Sequence, residues 1–110
     1  MPLLKVYVDA PLWEKKGEAV QAVLPNIRNY LCEAFNVEVS LCQILLIPSY
    51  GLSDQPPMAA EIQIMPKPER TPELILSACQ KLRAMLGNAS GEYVVIRATQ
   101  LDPERYVALK

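Results

Sequence analysis

The spacing of apolar residues changes from strand-like to helix-like twice, in the same order, and this repetition is the strongest constraint on the fold. Leu3 to Val8 is rich in β-favouring residues and stops at Asp9-Ala10-Pro11, which predicts a strand followed by a turn. From about Lys16 to Phe35 the apolar residues follow helical spacing. This pattern predicts a first helix that is kinked or broken at Pro25, because proline removes a backbone hydrogen bond.

The next stretch predicts two strands separated by a loop. The run from Val39 to Ile47 is dominated by Leu, Ile and Val and ends at Pro48, which favours a central strand covered on both faces. Residues 49–57 have the glycine, proline and polar content of a loop. Apolar and polar residues then alternate over residues 60–65, which predicts a third strand with one apolar face.

A second helix and a last strand complete the pattern. Thr71-Pro72-Glu73 combines a capping residue, a proline suited to the first helical position and an acidic residue near the helix start. We expect this helix to run to about Leu86 and to stop at Gly87-Asn88. Glu92 to Thr99 predicts the fourth strand, and Tyr106 to Leu109 is a candidate for a short edge strand.

The predicted fold class is therefore α/β (α+β), with two β-α-β units in one four-stranded mixed sheet. The chain has 110 residues and is 51% hydrophobic, which suits a single domain over residues 1–110. Right-handed crossovers would place both helices on one sheet face and leave Leu, Ile and Val on the other. We therefore expect copies of the chain to pack these bare faces together. A ferredoxin-like domain has the same element order, and periodicity does not separate the two.

Composition excludes several function classes. The absence of histidine rules out Ser-His and Cys-His triads and histidine-containing zinc sites. We expect neither a metal nor a cofactor. The net charge is −1 and the 11 basic residues are scattered, which argues against nucleic acid as a partner. No apolar run reaches the ~20 residues of a membrane span and the start resembles no secretory leader, so we expect a cytoplasmic location without membrane contact. Cys32, Cys42 and Cys79 lie in apolar runs and are expected to be buried structural thiols.

Four short motifs have distinctive positions in the predicted fold. The chain starts Met1-Pro2 and passes at once into a strand, and Ile47-Pro48 stands at the end of the second strand. Ser53-Asp54-Gln55-Pro56 lies in the following loop, and Val95-Ile96-Arg97 lies in the last strand. Together these motifs resemble the tautomerase superfamily, especially its macrophage migration inhibitory factor branch, whose Ser-x-Glu-Pro stretch is similar to the loop motif. The length and the element order agree with this family over nearly the whole chain.

The resemblance implies a β-α-β-β-α-β homotrimer and an active site built around Pro2, once Met1 is removed. Arg97 stands where that branch places a polar residue in the pocket of a neighbouring subunit. Met65 or Pro66 would form the apolar pocket wall at the end of the third strand.

Two further residues are candidates for binding substrate. Lys67 follows the predicted pocket wall, although it lies with Glu69 and Arg70 in a proline-rich loop where all three are expected to be solvated. Tyr50 is a candidate proton donor. We assign Met65, Pro66, Lys67 and Tyr50 to substrate binding on this basis.

The implied chemistry is proton transfer next to the carbonyl of a small oxo acid. The free amine of Pro2 is a secondary amine, and burial would lower its pKa so that it acts as a general base at neutral pH. Arg97 would hold a substrate carboxylate or stabilise an enolate oxygen. Decarboxylation or hydration of small unsaturated acids would use a similar pocket.

Three departures from the branch make its keto-enol substrates a poor guide to this chain. Its lysine after the first helix falls near Val37, its glycine-rich turn is replaced by Met65-Pro66-Lys67-Pro68, and its last-strand aromatic residue is Val95. A non-catalytic oligomeric binding or regulatory module with the same fold is therefore the alternative. Only the enzyme requires the free amine of Pro2.

Overall fold

The computed structural model describes residues 2–110, and these form four strands and two helices in the predicted order. A short 3-10 turn at Val39–Leu41 precedes the second strand. The elements are β1 Leu3–Asp9, α1 Ala10–Phe35, β2 Gln43–Ser49, β3 Met58–Ile64, α2 Pro72–Ser90 and β4 Val94–Gln100.

The four strands form one mixed sheet in the order β2-β1-β3-β4. β1 pairs parallel with β2 and antiparallel with β3, while β3 pairs parallel with β4. Each helix therefore connects two neighbouring parallel strands, as the two β-α-β units predicted. The strand that begins the chain lies inside the sheet, with a partner on each side.

Both helices pack on one face of this sheet, as predicted. Leu4, Val6 and Val8 of β1 are fully buried on that face, and their neighbours along the strand are only half-buried. Each helix contributes an apolar stripe to the same core. The helical residues in this core are Leu12, Val20, Ile27, Leu31, Cys32, Phe35, Ala78, Leu82 and Leu86.

The opposite sheet face, which we call the open face, is not covered by a helix. Its register places Leu45, Lys5, Glu61 and Arg97 side by side across the four strands. Lys5, Glu61 and Arg97 thus form a row of alternating charge, named the charge row below, although no two of them pair within 4 Å in residues 2–110. The open face is more polar than the expected Leu, Ile and Val surface. Its members include Leu3, Lys5, Tyr7, Gln43, Leu45, Ile47, Ala59, Glu61, Gln63, Val95, Arg97 and Thr99.

The prediction of a central second strand was wrong. β2 pairs only with β1 within the chain and so lies at a sheet edge, and it starts at Gln43 because Val39–Leu41 forms the 3-10 turn. Pro48 does not end the strand but pairs with Val8, which an edge position allows because the missing N–H faces away from β1. The apolar residues of this run alternate between the two sides, with Ile44 and Leu46 packed against the core and Leu45 and Ile47 on the open face.

The helix ends also differ from the predictions. α1 begins at Ala10, directly after β1, because Pro11 occupies the first turn where its missing N–H costs nothing. The helix is not broken at Pro25, which is exposed on its outer side. α2 passes through Gly87-Asn88 to Ser90 and stops at Gly91, whose φ of 73° is left-handed.

Within residues 2–110 no helix is both long and apolar enough to cross a membrane.

The candidate edge strand at Tyr106 to Leu109 does not form. After β4 the chain makes a turn at Asp102, whose carbonyl accepts hydrogen bonds from the backbone N–H groups of Arg105 and Tyr106. The Arg105 side chain pairs with the Asp102 carboxylate at 3.4 Å. Within the described residues the segment that follows forms no strand, and the Leu109 side chain is fully exposed.

Candidate active site

Pro2 lies at the entry to β1 and is buried. Its carbonyl accepts a hydrogen bond from the backbone N–H of Gln43 at 3.0 Å, which joins it to the start of β2. On the other side, the next residue, Leu3, is opposite Gln63, so Pro2 lies beside the carboxyl end of β3. Strand pairing on both sides therefore fixes the position of the Pro2 backbone. The predicted removal of Met1 concerns a residue outside the described range.

The predicted pocket wall lies at the same end of the sheet as Pro2. Met65 directly follows β3 and is half-buried, while Pro66 and Lys67 continue from it and are exposed. The backbone N–H of Leu101 donates to the Ile64 carbonyl at 2.8 Å, which secures the end of β3. Four of the six predicted site residues thus lie at one end of the sheet.

Arg70 was expected to be solvated, and that expectation was wrong. Its side chain is 3% exposed, and it donates from Nη1 to the Met65 carbonyl at 2.7 Å and from Nη2 to the Phe35 carbonyl at 3.2 Å. The guanidinium also stacks on the Phe35 ring, 5.5 Å from its centre. The loop turns back towards α1 because the Arg70 N–H donates to the Lys67 carbonyl at 2.9 Å. The proline-rich composition of the loop predicted the exposure of Lys67 correctly, but it did not predict the burial of Arg70.

Arg97 lies on the open face, away from Pro2 of its own chain. It is exposed and is opposite Glu61 in the register of β3 and β4. Two strand spacings and three residues of offset place the two backbones about 14 Å apart. Arg97 instead lines a groove of about 370 Å³ with five other residues. These are Asp54, Gln55, Pro56, Ala59 and Val95.

Tyr50 lies at the far end of the sheet from Pro2. It follows Ser49, which pairs with Asp9 at the end of β1, roughly 20 Å along the strands from Pro2. Its side chain is 95% exposed. The Ser49 hydroxyl donates to the Asp9 carboxylate at 3.2 Å, which holds this end of the sheet together. Within one chain, Tyr50 and Pro2 do not share a pocket.

Comparison with solved structures shows which fold this arrangement belongs to. The chain is similar to macrophage migration inhibitory factor from Oncomelania hupensis, at 15% identity and a TM-score of 0.67, over 92% of this chain and 74% of that one. It is also similar to Pt0534 inactivated by 2-oxo-3-pentynoate, at 13% identity and a TM-score of 0.69, over 90% and 85%. A third is a fused 4-OT solved as a symmetric trimer, at 14% identity and a TM-score of 0.64, over 90% and 85%.

The chain has the tautomerase fold. All three of these proteins are members of the tautomerase superfamily, with the macrophage migration inhibitory factor branch among them. No protein-family model matches the sequence, and no curated protein matches it either. At identities of this size the likeness establishes the fold, and the activity has to be argued from the site residues.

Two cysteines lie close to the Pro2 end of this tautomerase fold. Cys32 in the last turns of α1 and Cys42 just before β2 are both buried and free, whereas Cys79 is half-buried. Burial, reinforced by the neighbouring Cys32 thiol, raises the pKa of Cys42 to about 11. Burial also raises the pKa of Cys79. Neither Cys42 nor Cys79 is poised as a thiolate at neutral pH, which agrees with their expected structural role.

Proposed function

We propose that this protein is a cofactor-independent tautomerase or isomerase that moves a proton next to the carbonyl of a small oxo acid. Pro2 is the general base after removal of Met1, and Arg97 binds the substrate carboxylate or stabilises the enolate. Met65, Pro66 and Lys67 line the pocket on the Pro2 side. The observation that carries this proposal is the burial of Pro2 at the start of an interior strand of the tautomerase fold.

Once Met1 is removed, burial favours the neutral form of the Pro2 amine, which can then accept a proton. Taking an amine out of water disfavours its charged form, so its pKa falls towards neutrality. Such an amine takes a proton from the carbon next to a carbonyl and returns it at another position, which is the whole of a tautomerisation. The reaction needs no redox partner, since no electrons are gained or lost by the substrate overall.

The proposal requires more than one copy of the chain. The backbones of Arg97 and Pro2 in one chain are about 14 Å apart. Arg97 is also exposed on the open face whereas Pro2 is buried at the entry to β1, so the two do not converge on one small oxo acid within a single chain. On the open face, however, Arg97 is exposed and available to a second copy. A fused 4-OT with this fold forms a symmetric trimer, and we propose the same state here. In this arrangement the Arg97 of one copy serves the Pro2 of the next, and Tyr50 joins a pocket only from a neighbouring copy.

Arginine suits this role because of its shape and charge. Its planar guanidinium donates two parallel hydrogen bonds to a carboxylate, which fixes both the position and the orientation of the substrate. The half-buried Met65 offers an apolar contact to the carbon skeleton, and the exposed Lys67 adds a second cation at the pocket mouth. Together they favour a small anionic substrate.

We place the protein in the cytoplasm. Cys32, Cys42 and Cys79 are all free, and free thiols persist in a reducing compartment.

The proposal is tested by intact mass and by turnover of an enolisable 2-oxo acid. Untagged protein is expected to lack Met1 and to be active, and Pro2→Ala is expected to lose on the order of a hundredfold in kcat/KM. Pro103→Ala, in the exposed turn after β4, is the matched control and is expected to keep full activity.

Covalent labelling gives a second measure of the same amine. Attack of the Pro2 nitrogen on the triple bond of 2-oxo-3-pentynoate adds the whole molecule, with a proton taken up on the adjacent carbon and nothing released. The expected result is a mass increase of one reagent molecule, located on Pro2 by peptide sequencing. Retained Met1, or a Pro2→Ala protein as active as the control, would overturn the enzyme and favour the non-catalytic binding module.

A further inference from the structure

Arg70 is a buried cation that the proposed chemistry does not yet use. It is 3% exposed, and the groups it contacts are two backbone carbonyls and an aromatic ring. Among residues 2–110 no carboxylate lies within 4 Å of it, and its buried Nε has no hydrogen-bond partner. Burying an arginine in this way is costly, so its contacts must contribute something that a neutral side chain would not.

The two carbonyls belong to different parts of the Pro2 end. The Met65 carbonyl follows β3 directly and begins the pocket wall, whereas the Phe35 carbonyl is in the last turn of α1. That last turn contains no basic residue of its own. The positive charge of Arg70 therefore compensates the negative end of the α1 dipole from outside the helix.

The α1 terminus leads directly towards β2 and thereby towards Pro2. Asn36 adopts a left-handed φ of 52°, and the Val37 N–H donates back to the Cys32 carbonyl at 3.0 Å. A few residues later, Gln43 donates to the Pro2 carbonyl at 3.0 Å. Arg70 thus links the pocket wall to the segment that carries the hydrogen-bond partner of Pro2.

We propose that Arg70 is a positioning residue that sets the distance between the Met65–Lys67 wall and Pro2. This inference rests on the proposed function, because it assigns the two hydrogen bonds of the Arg70 side chain to the substrate pocket of that reaction. The fork of the guanidinium is essential, since Nη1 and Nη2 bind carbonyls on two elements at once. Lysine would keep the charge but present it at a single nitrogen, so it would hold the two elements less firmly.

The test compares Arg70→Lys and Arg70→Met with Arg83→Met, an exposed arginine on α2 that serves as the matched control. Kinetic constants with the 2-oxo acid are measured alongside amide hydrogen exchange of residues 33–38 and 65–71. We expect Arg70→Lys to fold and to raise KM on the order of tenfold with little change in kcat, because the wall is misplaced while the base remains. Exchange should accelerate in both segments, and the control should match wild type in every measurement.

The outcomes separate this inference from the proposed function. Turnover that depends on Pro2 but is unchanged in Arg70→Lys, with unchanged exchange, would overturn the positioning role alone. A fall in kcat and in unfolding stability without a change in KM would also overturn it, because a purely structural role predicts that result. If Arg70→Met fails to fold, the lysine variant decides. Wild-type protein without Pro2-dependent turnover would overturn the proposed function itself, whatever the exchange data show.

Discussion

Replacing Glu61 by glutamine tests whether the open face is buried between copies of the chain. Glu61 lies between Lys5 and Arg97 in the charge row, directly opposite each of them in the sheet register. Glutamine keeps the size and the strand geometry of the side chain and removes only its charge. The change therefore leaves two cations flanking a neutral group, at positions where side chains across neighbouring strands are about 5 Å apart.

The size of the effect depends on whether water reaches the charge row. In a single chain Glu61 and Arg97 are exposed, and each cross-strand pair of opposite charge is worth about 0.2–1 kcal/mol. Loss of both pairs would then cost at most about 2 kcal/mol. If copies of the chain cover the open face, Lys5 loses its register partner Glu61 in a dehydrated interface, and breaking one buried pair costs about 3–5 kcal/mol. A loss of about 3 kcal/mol weakens association roughly a hundredfold.

Sedimentation velocity over a range of protein concentrations, together with urea unfolding, measures both quantities. We expect Glu61→Gln to dissociate at concentrations where wild type remains assembled, and to lose more than about 3 kcal/mol of unfolding free energy. Glu104→Gln, in the exposed turn after β4, controls for the loss of one negative charge. Wild-type assembly by Glu61→Gln, with a loss below about 2 kcal/mol, would refute the burial of the charge row.

Three further experiments test the local structure. Gly91→Ala should destabilise the fold by about 1 kcal/mol because φ is 73° at this position. Gly87→Ala should stabilise the fold by about 0.5–1 kcal/mol, because this glycine is inside α2 and an added Cβ would lie 3.5 Å from its nearest neighbour. Urea unfolding that gives the reverse order would contradict both expectations. Thr71→Ala should cost about 1 kcal/mol in the same assay because its hydroxyl accepts from the Leu74 N–H at 3.1 Å, and Thr71→Ser should stay near wild type. Cys42, with its pKa raised from 9.0 to about 11, should carry about a hundredfold less thiolate at pH 8 than an unshifted thiol. The rate at which a colorimetric disulfide reagent labels Cys42 measures this, and equal rates in native and unfolded protein would contradict that value.

Local patterns were sufficient to predict the element order, because each element has its own periodicity. The strand at Leu3 to Val8 and the helix start at Thr71-Pro72-Glu73 match β1 and the start of α2 closely. The sheet order was harder to predict, because β2 carries apolar residues on both of its faces. One face of β2 packs against the core and the other is part of the open face, yet its composition is the same as that of a strand between two layers of helices. Periodicity therefore did not distinguish an edge from a centre.

The candidate site was predicted in part, for a related reason. The resemblance implied that Pro2 and the wall at Met65 belong to one active site, and the antiparallel pairing of β1 with β3 puts both at one end of the sheet. The burial of Arg70 depends on the Phe35 carbonyl, which lies 35 residues away in the sequence. Loop composition contains no information about such a contact. The last turn of α1 has no basic residue, so the negative end of its dipole is compensated only if a cation from elsewhere in the chain approaches it. This was the one indication of the contact in the sequence.

The interior position of β1 ties the proposed chemistry to the completion of the sheet. β1 finds one partner about 40 residues later in the sequence and the other about 50 to 60 residues later, so its pairing closes long loops. Until β3 is in place, Pro2 has neither its neighbour at the end of that strand nor the wall that follows it. If Pro2 is the general base that we propose, a partly folded chain would hold its amine in water, where burial no longer favours the neutral form. Turnover would thus report native folding over more than half of the chain, and could follow refolding in real time without a spectroscopic label.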